Sequence, residues 1–166
     1  MILATFLACL LSGLLSSGTA PSESRLLGHW GYAGNTLVFM EKSGDVPDQA
    51  GVDSHLNAMG ASRSNLTLTF TEGRKGRLKL GDNAIDFDWE LNASTKEFKA
   101  GVGLFSIKGY LVMKEDRVIL TYTRANLFLL MRYLCTPAGR KHINPLGELL
   151  DCCKGLTVAM EFSKGE

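Results

Sequence analysis

A single, mainly β domain, folded as a small closed antiparallel barrel of about eight strands, is the architecture the sequence predicts. The first observation behind it is period-two alternation. In residues 85–91 (IDFDWEL) the apolar side chains take one face and Asp86, Asp88 and Glu90 the other, as in a half-buried antiparallel strand. The second is turn spacing: short alternating runs are separated by Thr71-Glu72-Gly73, Gly81-Asp82-Asn83, Asn92-Ala93-Ser94 and Lys114-Glu115-Asp116, residues that favour hairpin connections. The third is the strand count, an even number that can close without a long unpaired edge.

The elements follow in order. Trp30-Gly31-Tyr32 and Leu37-Val38-Phe39 form one strand interrupted at Gly34-Asn35. Residues 48–59, after Pro47, read as a helical insertion before strand 2 or as a long loop, since Gly51 and the lack of a clean apolar stripe weaken the helix. Strands at 66–70, 77–80, 85–91, 98–101, 104–113 and 118–123 make a meander. Two helices precede the last strand. Residues 126–134 carry Leu127, Leu130, Met131 and Leu134 at helical spacing and stop before Pro137 and Gly139. Asn144-Pro145 supplies an N-cap and a first-turn proline for a helix that runs through Glu148-Leu149-Leu150 toward Gly155. Residues 156–162 alternate again and complete the barrel.

Alternation aims large apolar side chains inward. An eight-stranded barrel is just wide enough to be filled by them or to hold one small ligand, and the predominance of large residues favours a packed core. Should a cavity exist, its wall is apolar, and so is its ligand. The candidate wall is Trp30, Phe87, Trp89, Phe105, Leu120 and Tyr122 from the strands, with Leu127 and Met131 from the following helix.

Composition narrows the function. With 18 basic and 17 acidic residues the net charge is +1, and no basic block exists to bind nucleic acid or an anionic membrane surface. Residues 2–15 (ILATFLACLLSGLL) are uncharged and apolar and lead into Ser16-Ser17-Gly18-Thr19-Ala20. That fits a signal peptide over 1–20 and a domain over 21–166, with an exported, periplasmic or secreted address; the run is too short for a membrane span, and none is expected in the mature chain. An uncleaved short anchor is the alternative, because no basic residue follows Met1. The mature chain then holds Cys135, Cys152 and Cys153. Adjacent cysteines rarely bridge each other, so the ordinary disulfide available is Cys135 with Cys152 or Cys153. His29, His55 and His142 stand singly, without partners at helical spacing, and no metal site and no cofactor are expected. No catalytic residues are assigned: Asp86, Asp88 and Glu90 share the solvent face of one strand, and thiols at a helix C-terminus are disfavoured as thiolates.

Leu27-Gly28-His29-Trp30 places a Gly-x-Trp on the first strand, followed by Tyr32. This is similar to the entry motif of lipocalins, whose tryptophan closes the barrel floor. The order of Gly-x-Trp-x-Tyr, insertion, meander, late helix pair and a final strand after Lys154-Gly155 resembles a lipocalin-like, uncharacterised family of exported Bacteroidales proteins, from Leu26 to the C-terminus. The resemblance implies a lipocalin-like (calycin-type) barrel and an envelope address, with no catalytic residues to transfer. The chain departs from the pattern in lacking a long small-residue linker after the signal and in an alanine-poor insertion. Lipocalins also place a basic residue near the last strand against the floor; Lys164 is the nearest, and reads as a solvated terminal lysine. Two non-enzymatic roles stay open: a carrier of a small apolar ligand inside the barrel, and a solid envelope scaffold that binds a protein partner through its loops and helices. A void of several hundred cubic ångströms would favour the first, a filled interior the second.

Overall fold

Eight strands pair in chain order, each antiparallel to the next, and the last returns to the first to close a barrel. The computed structural model describes residues 22–38, 48–151 and 155–164. The strands are β1 (Gly28–Val38), β2 (Leu66–Thr71), β3 (Lys75–Leu80), β4 (Asn83–Leu91), β5 (Glu97–Val102), β6 (Phe105–Lys114), β7 (Arg117–Thr123) and β8 (Thr157–Lys164). A one-turn helix, α1 (Glu23–Leu26), precedes them; α2 (Gln49–Ala58) joins β1 to β2; α3 (Arg124–Leu134), α4 (Pro137–Arg140) and α5 (Ile143–Leu150) lie between β7 and β8. The mainly β barrel with helical insertions before strand 2 and before the last strand is therefore the observed fold.

Alternation decides which face each strand buries. On β4, Ile85, Phe87 and Trp89 are buried while Asp86, Asp88 and Glu90 are exposed. Outside, cross-strand pairs tie the ladder: Arg77 reaches Asp86 through Nε at 2.6 Å and Nη2 at 3.0 Å, and Lys75 pairs with Asp88. The Arg77 guanidinium holds the Asp86 carboxyl below its usual range. The rule relaxes at one place on β6 to β8, where the outer face carries a small apolar patch. Val112, Ile119 and Ala159 form a second, outward-facing buried cluster with Val38 against it.

The barrel's weak point is the upper half of β1. Its pairing with β8 runs from Trp30–Lys164 to Val38–Thr157, with a bulge between Tyr32 and Gly34, whereas its pairing with β2 covers Gly28–Phe70 to Gly31–Thr67 alone. The edge so exposed is closed by a side chain of α2. Gln49 Oε1 accepts from the Leu37 amide at 3.3 Å, and its Nε2 donates to the Asn35 carbonyl at 3.4 Å and to Asn35 Oδ1 at 2.9 Å. One carboxamide thus replaces the peptide of a missing strand. Asp53 Oδ1 accepts from both Gln49 Nε2 (2.9 Å) and Asn35 Nδ2 (2.7 Å), and Asn35 also donates to the Tyr32 hydroxyl at 2.8 Å. Gln49→Ala should leave these backbone groups unpaired and cost about 1–3 kcal/mol of unfolding free energy, measured by urea denaturation.

Two helix expectations are refined. Residues 48–59 are helical: Asp48 caps α2 by accepting from the Gly51 amide at 2.9 Å, and a Cβ on Gly51 would stand 2.9 Å from Leu149 Cδ1. The glycine that argues against a helix is the residue that lets α2 approach α5. The helix expected to open on an Asn144 cap begins two residues earlier, at Ile143, with His142 at the cap position. Pro145 still falls in the first turn, where amides have no helical acceptor. Val158, Met160 and Phe162 of β8 face inward as expected, while Phe39, Cys152, Cys153 and residues 1–20 lie outside the described residues.

Candidate functional site

The lumen is filled from three directions. At its centre Phe70 meets Phe87, Trp89 and Phe98 edge to face, with ring centroids 6.2, 5.5 and 6.2 Å apart, and Trp89 stacks on Phe98 at 6.4 Å. Such pairs add to burial because a positive ring edge meets a negative ring face. The Trp89 indole donates to the Lys75 carbonyl at 3.2 Å, so the ring is held as well as packed.

The floor is Trp30. Its Nε1 donates to the Leu26 carbonyl at 2.8 Å, which pins α1 beneath the barrel, and Leu26 itself is fully buried. The Lys164 ammonium lies 5.5 Å from the Trp30 ring centroid. Lys164 is exposed, as a solvated terminal lysine is, and its charge also makes a cation–π contact with the indole.

The roof is α3. Thr123 Oγ1 accepts from the Asn126 amide at 3.3 Å to start the helix, and Leu127, Leu130, Met131 and Leu134 turn into the barrel. At the same end of α3 Arg124 reaches Asp151, with Nη2 at 2.9 Å from Oδ2, and its guanidinium lies 5.2 Å from the Phe128 ring centroid, which fastens the start of α3 to the end of α5.

Among the described residues, the barrel interior holds a void of about 20 Å³, bounded by Leu68, Ile85, Phe87, Ile107, Leu120 and Tyr122 among others. That is room for about one water molecule. Trp30, Phe87, Trp89, Leu120, Tyr122, Leu127 and Met131 are all buried in lumen, floor or roof. Phe105 departs from the expected wall. It has the inward parity of Ile107 and Leu111, but it stands at the first position of β6 beside the β5–β6 turn and is 53% exposed. Next to it Leu104 is fully exposed, at a turn where Gly103 takes φ 58°.

Two tyrosines carry the interior's electrostatics. Burial pushes the Tyr122 phenol far above its ordinary 10.0. It raises Tyr32 too, opposed by the hydrogen bond from Asn35 and reinforced by the charges of Asp53 and Glu161. Both phenols hold their protons in the fold beyond pH 10.0, where the unfolded chain releases them. The unfolded state then binds fewer protons, so stability falls as pH rises above about 10 and is unaffected by these groups below it. Tyr122→Phe should flatten that alkaline fall, as read from urea midpoints across pH 8–11.

Two of the open grooves outside the barrel cross its charged faces. One, about 460 Å³, runs over β4 to β8 and is lined by Glu90, Glu97, Lys99, Lys108, Tyr110 and Thr121; the other, about 640 Å³, crosses the ion pairs of β3 and β4 beside His29 and Thr69. Two of the three acids on the solvent face of β4, Asp86 and Asp88, pair with Arg77 and Lys75 across the ladder. Cys135 is buried, its Sγ 4.0 Å from Met131 Sδ, and its expected partners Cys152 and Cys153 lie outside the described residues. The histidines are not all single: His55 on α2 and His142 at the start of α5 meet with Nδ1 atoms 3.2 Å apart. They stand 87 positions apart in the chain, so no local spacing announces that pair.

A closed eight-stranded antiparallel barrel with a tryptophan floor, a helical roof and a filled lumen is the class that fold and site define. No protein-family model matches the chain, and no curated protein matches it in sequence. Among solved structures it is similar to a DUF4847 family protein from Bacteroides vulgatus, determined at 1.00 Å resolution, with 8% sequence identity, 86% of this chain and 96% of that chain covered, and a TM-score of 0.43. At that level the likeness carries no functional argument, and function has to come from the residues themselves. No helix among the described residues is long and apolar enough to cross a membrane.

Proposed function

We propose that this chain is a non-enzymatic, exported lipocalin-like protein whose barrel is a solid scaffold and whose loops and helices bind a protein partner in the cell envelope. The observation that carries the reading is the interior void of about 20 Å³, against the roughly 300–1,000 Å³ of a small-molecule pocket. The floor supports the lipocalin-like part, since Trp30 of the Gly-x-Trp lies under a basic residue of the last strand. Export rests on the apolar run 2–15 and the small residues after it. The contact element is the β5–β6 turn. Leu104, fully exposed, and Phe105, half-exposed, present two adjacent large apolar side chains at a tight turn, an arrangement that suits insertion into a partner's pocket.

Native mass spectrometry of protein recovered from its own envelope fraction, before and after organic extraction, tests the solid interior. A bare mass is expected; a bound mass that extraction removes would overturn it. Chemical cross-linking of the wild type and of a Leu104→Ser/Phe105→Ser variant tests the turn. The variant should keep its circular dichroism and melting temperature and lose the cross-linked species, and cross-links that persist would place the contact elsewhere. The carrier role, with a small apolar ligand inside the barrel, would require α3 to lift away, because Leu130 lines the void and Leu127 and Met131 are buried beside it.

A further inference from the structure

α2 and α5 come together over the upper end of the barrel, α5 bringing Leu149 to Gly51 and His142 to His55. The two imidazoles are half-buried, so each ring is held by its helix and still reachable from solvent. Their Nδ1 atoms are 3.2 Å apart, the ring centroids 5.4 Å, and the ring planes inclined at 49°. Neither ring has another hydrogen bond among the described residues.

Two ring nitrogens that face each other need something between them. A shared proton is one answer, though the separation is at the long end for a hydrogen bond. A metal ion is the other. With metal–nitrogen bonds of about 2.0–2.1 Å, the edge of a tetrahedral site is about 3.3 Å and a cis edge of a square-planar site about 2.9 Å. The observed separation falls between them. A modest rotation of each ring aims both lone pairs at one ion without moving either helix.

We propose that His55 and His142 form a two-histidine site for a borderline divalent transition-metal ion, zinc, nickel or copper, which clamps α2 to α5. The donor set selects the class: neutral imidazoles suit these ions and do not suit calcium or magnesium, which prefer oxygen. No third His, Cys, Asp or Glu joins the pair among the described residues, so water or an external donor completes the coordination. An open site of this kind binds reversibly, and its occupancy stabilises the fold by mass action.

The test is calorimetric titration of the full chain with zinc chloride, paired with thermal unfolding. Because thiols also take such ions, it is run in the wild type and in a Cys152→Ser/Cys153→Ser background. One equivalent of zinc should bind in both, with a melting temperature raised by several degrees. Affinity should fall at least about tenfold in His55→Gln and in His142→Gln and stay unchanged in His29→Gln. A second measurement separates a lost ligand from a lost fold: copper(II) bound to the wild type should show hyperfine splitting from two nitrogens by electron paramagnetic resonance, and from one in either folded variant. Zinc binding that survives both histidine substitutions, or that disappears with the cysteines, would overturn the proposal, as would no binding at all.

Discussion

Leu127→Asp should leave the chain largely unfolded at 25 °C. Leu127 is fully buried on the inner face of α3, and an unpaired carboxylate there costs several kcal/mol, a large part of the roughly 5–15 kcal/mol that holds a domain of this size. The informative companion is Leu127→Ala, expected to cost about 2–5 kcal/mol and to leave a folded barrel with a hole under its roof. Such a hole should take up a small apolar probe such as benzene that the wild type excludes. If the wild type already binds the probe equally well by calorimetry, the lumen is not solid.

Trp30→Ala should cost about 3–5 kcal/mol in urea denaturation, because it removes the largest side chain of the floor and orphans the Leu26 carbonyl. Lys164→Ala should cost no more than about 1 kcal/mol, since the ammonium is exposed and only one face of it meets the ring. In the double variant the lysine's contribution should vanish. A double-mutant cycle with no coupling would show that Lys164 is indifferent to the floor.

Much of the fold was legible. The alternation in residues 85–91 predicts a strand with acids outward, and β4 shows that pattern. The stripe Leu127, Leu130, Met131, Leu134 predicts a helix with one buried face, and α3 buries those four. What escaped depends on contacts that local sequence does not encode. Gly51 reads as a helix breaker until the close approach of Leu149 is known. Asn144 reads as a cap because it precedes proline, but α4 delivers the chain two residues early. Parity puts Phe105 in the barrel, and parity knows nothing of where the barrel ends. The candidate site was less legible still. Whether a ring of large side chains leaves a cavity depends on how Phe70, Phe87, Trp89 and Phe98 interlock, and His55 meets His142 only because two helices from different connections share one end of the barrel.

The closure of β1 against β8 has a bearing on timing. The first strand finds its longest partner in the last, at the opposite end of the described chain. A ribosome making this protein releases β1 long before β8 exists, and until then the growing meander carries raw hydrogen-bonding edges on both flanks. Long-range pairing of this kind is slow to form, and the half-made sheet is the species most open to sticking. The barrel can therefore seal only once β8 has been made, and whatever guards the nascent chain has to cover both open edges until then.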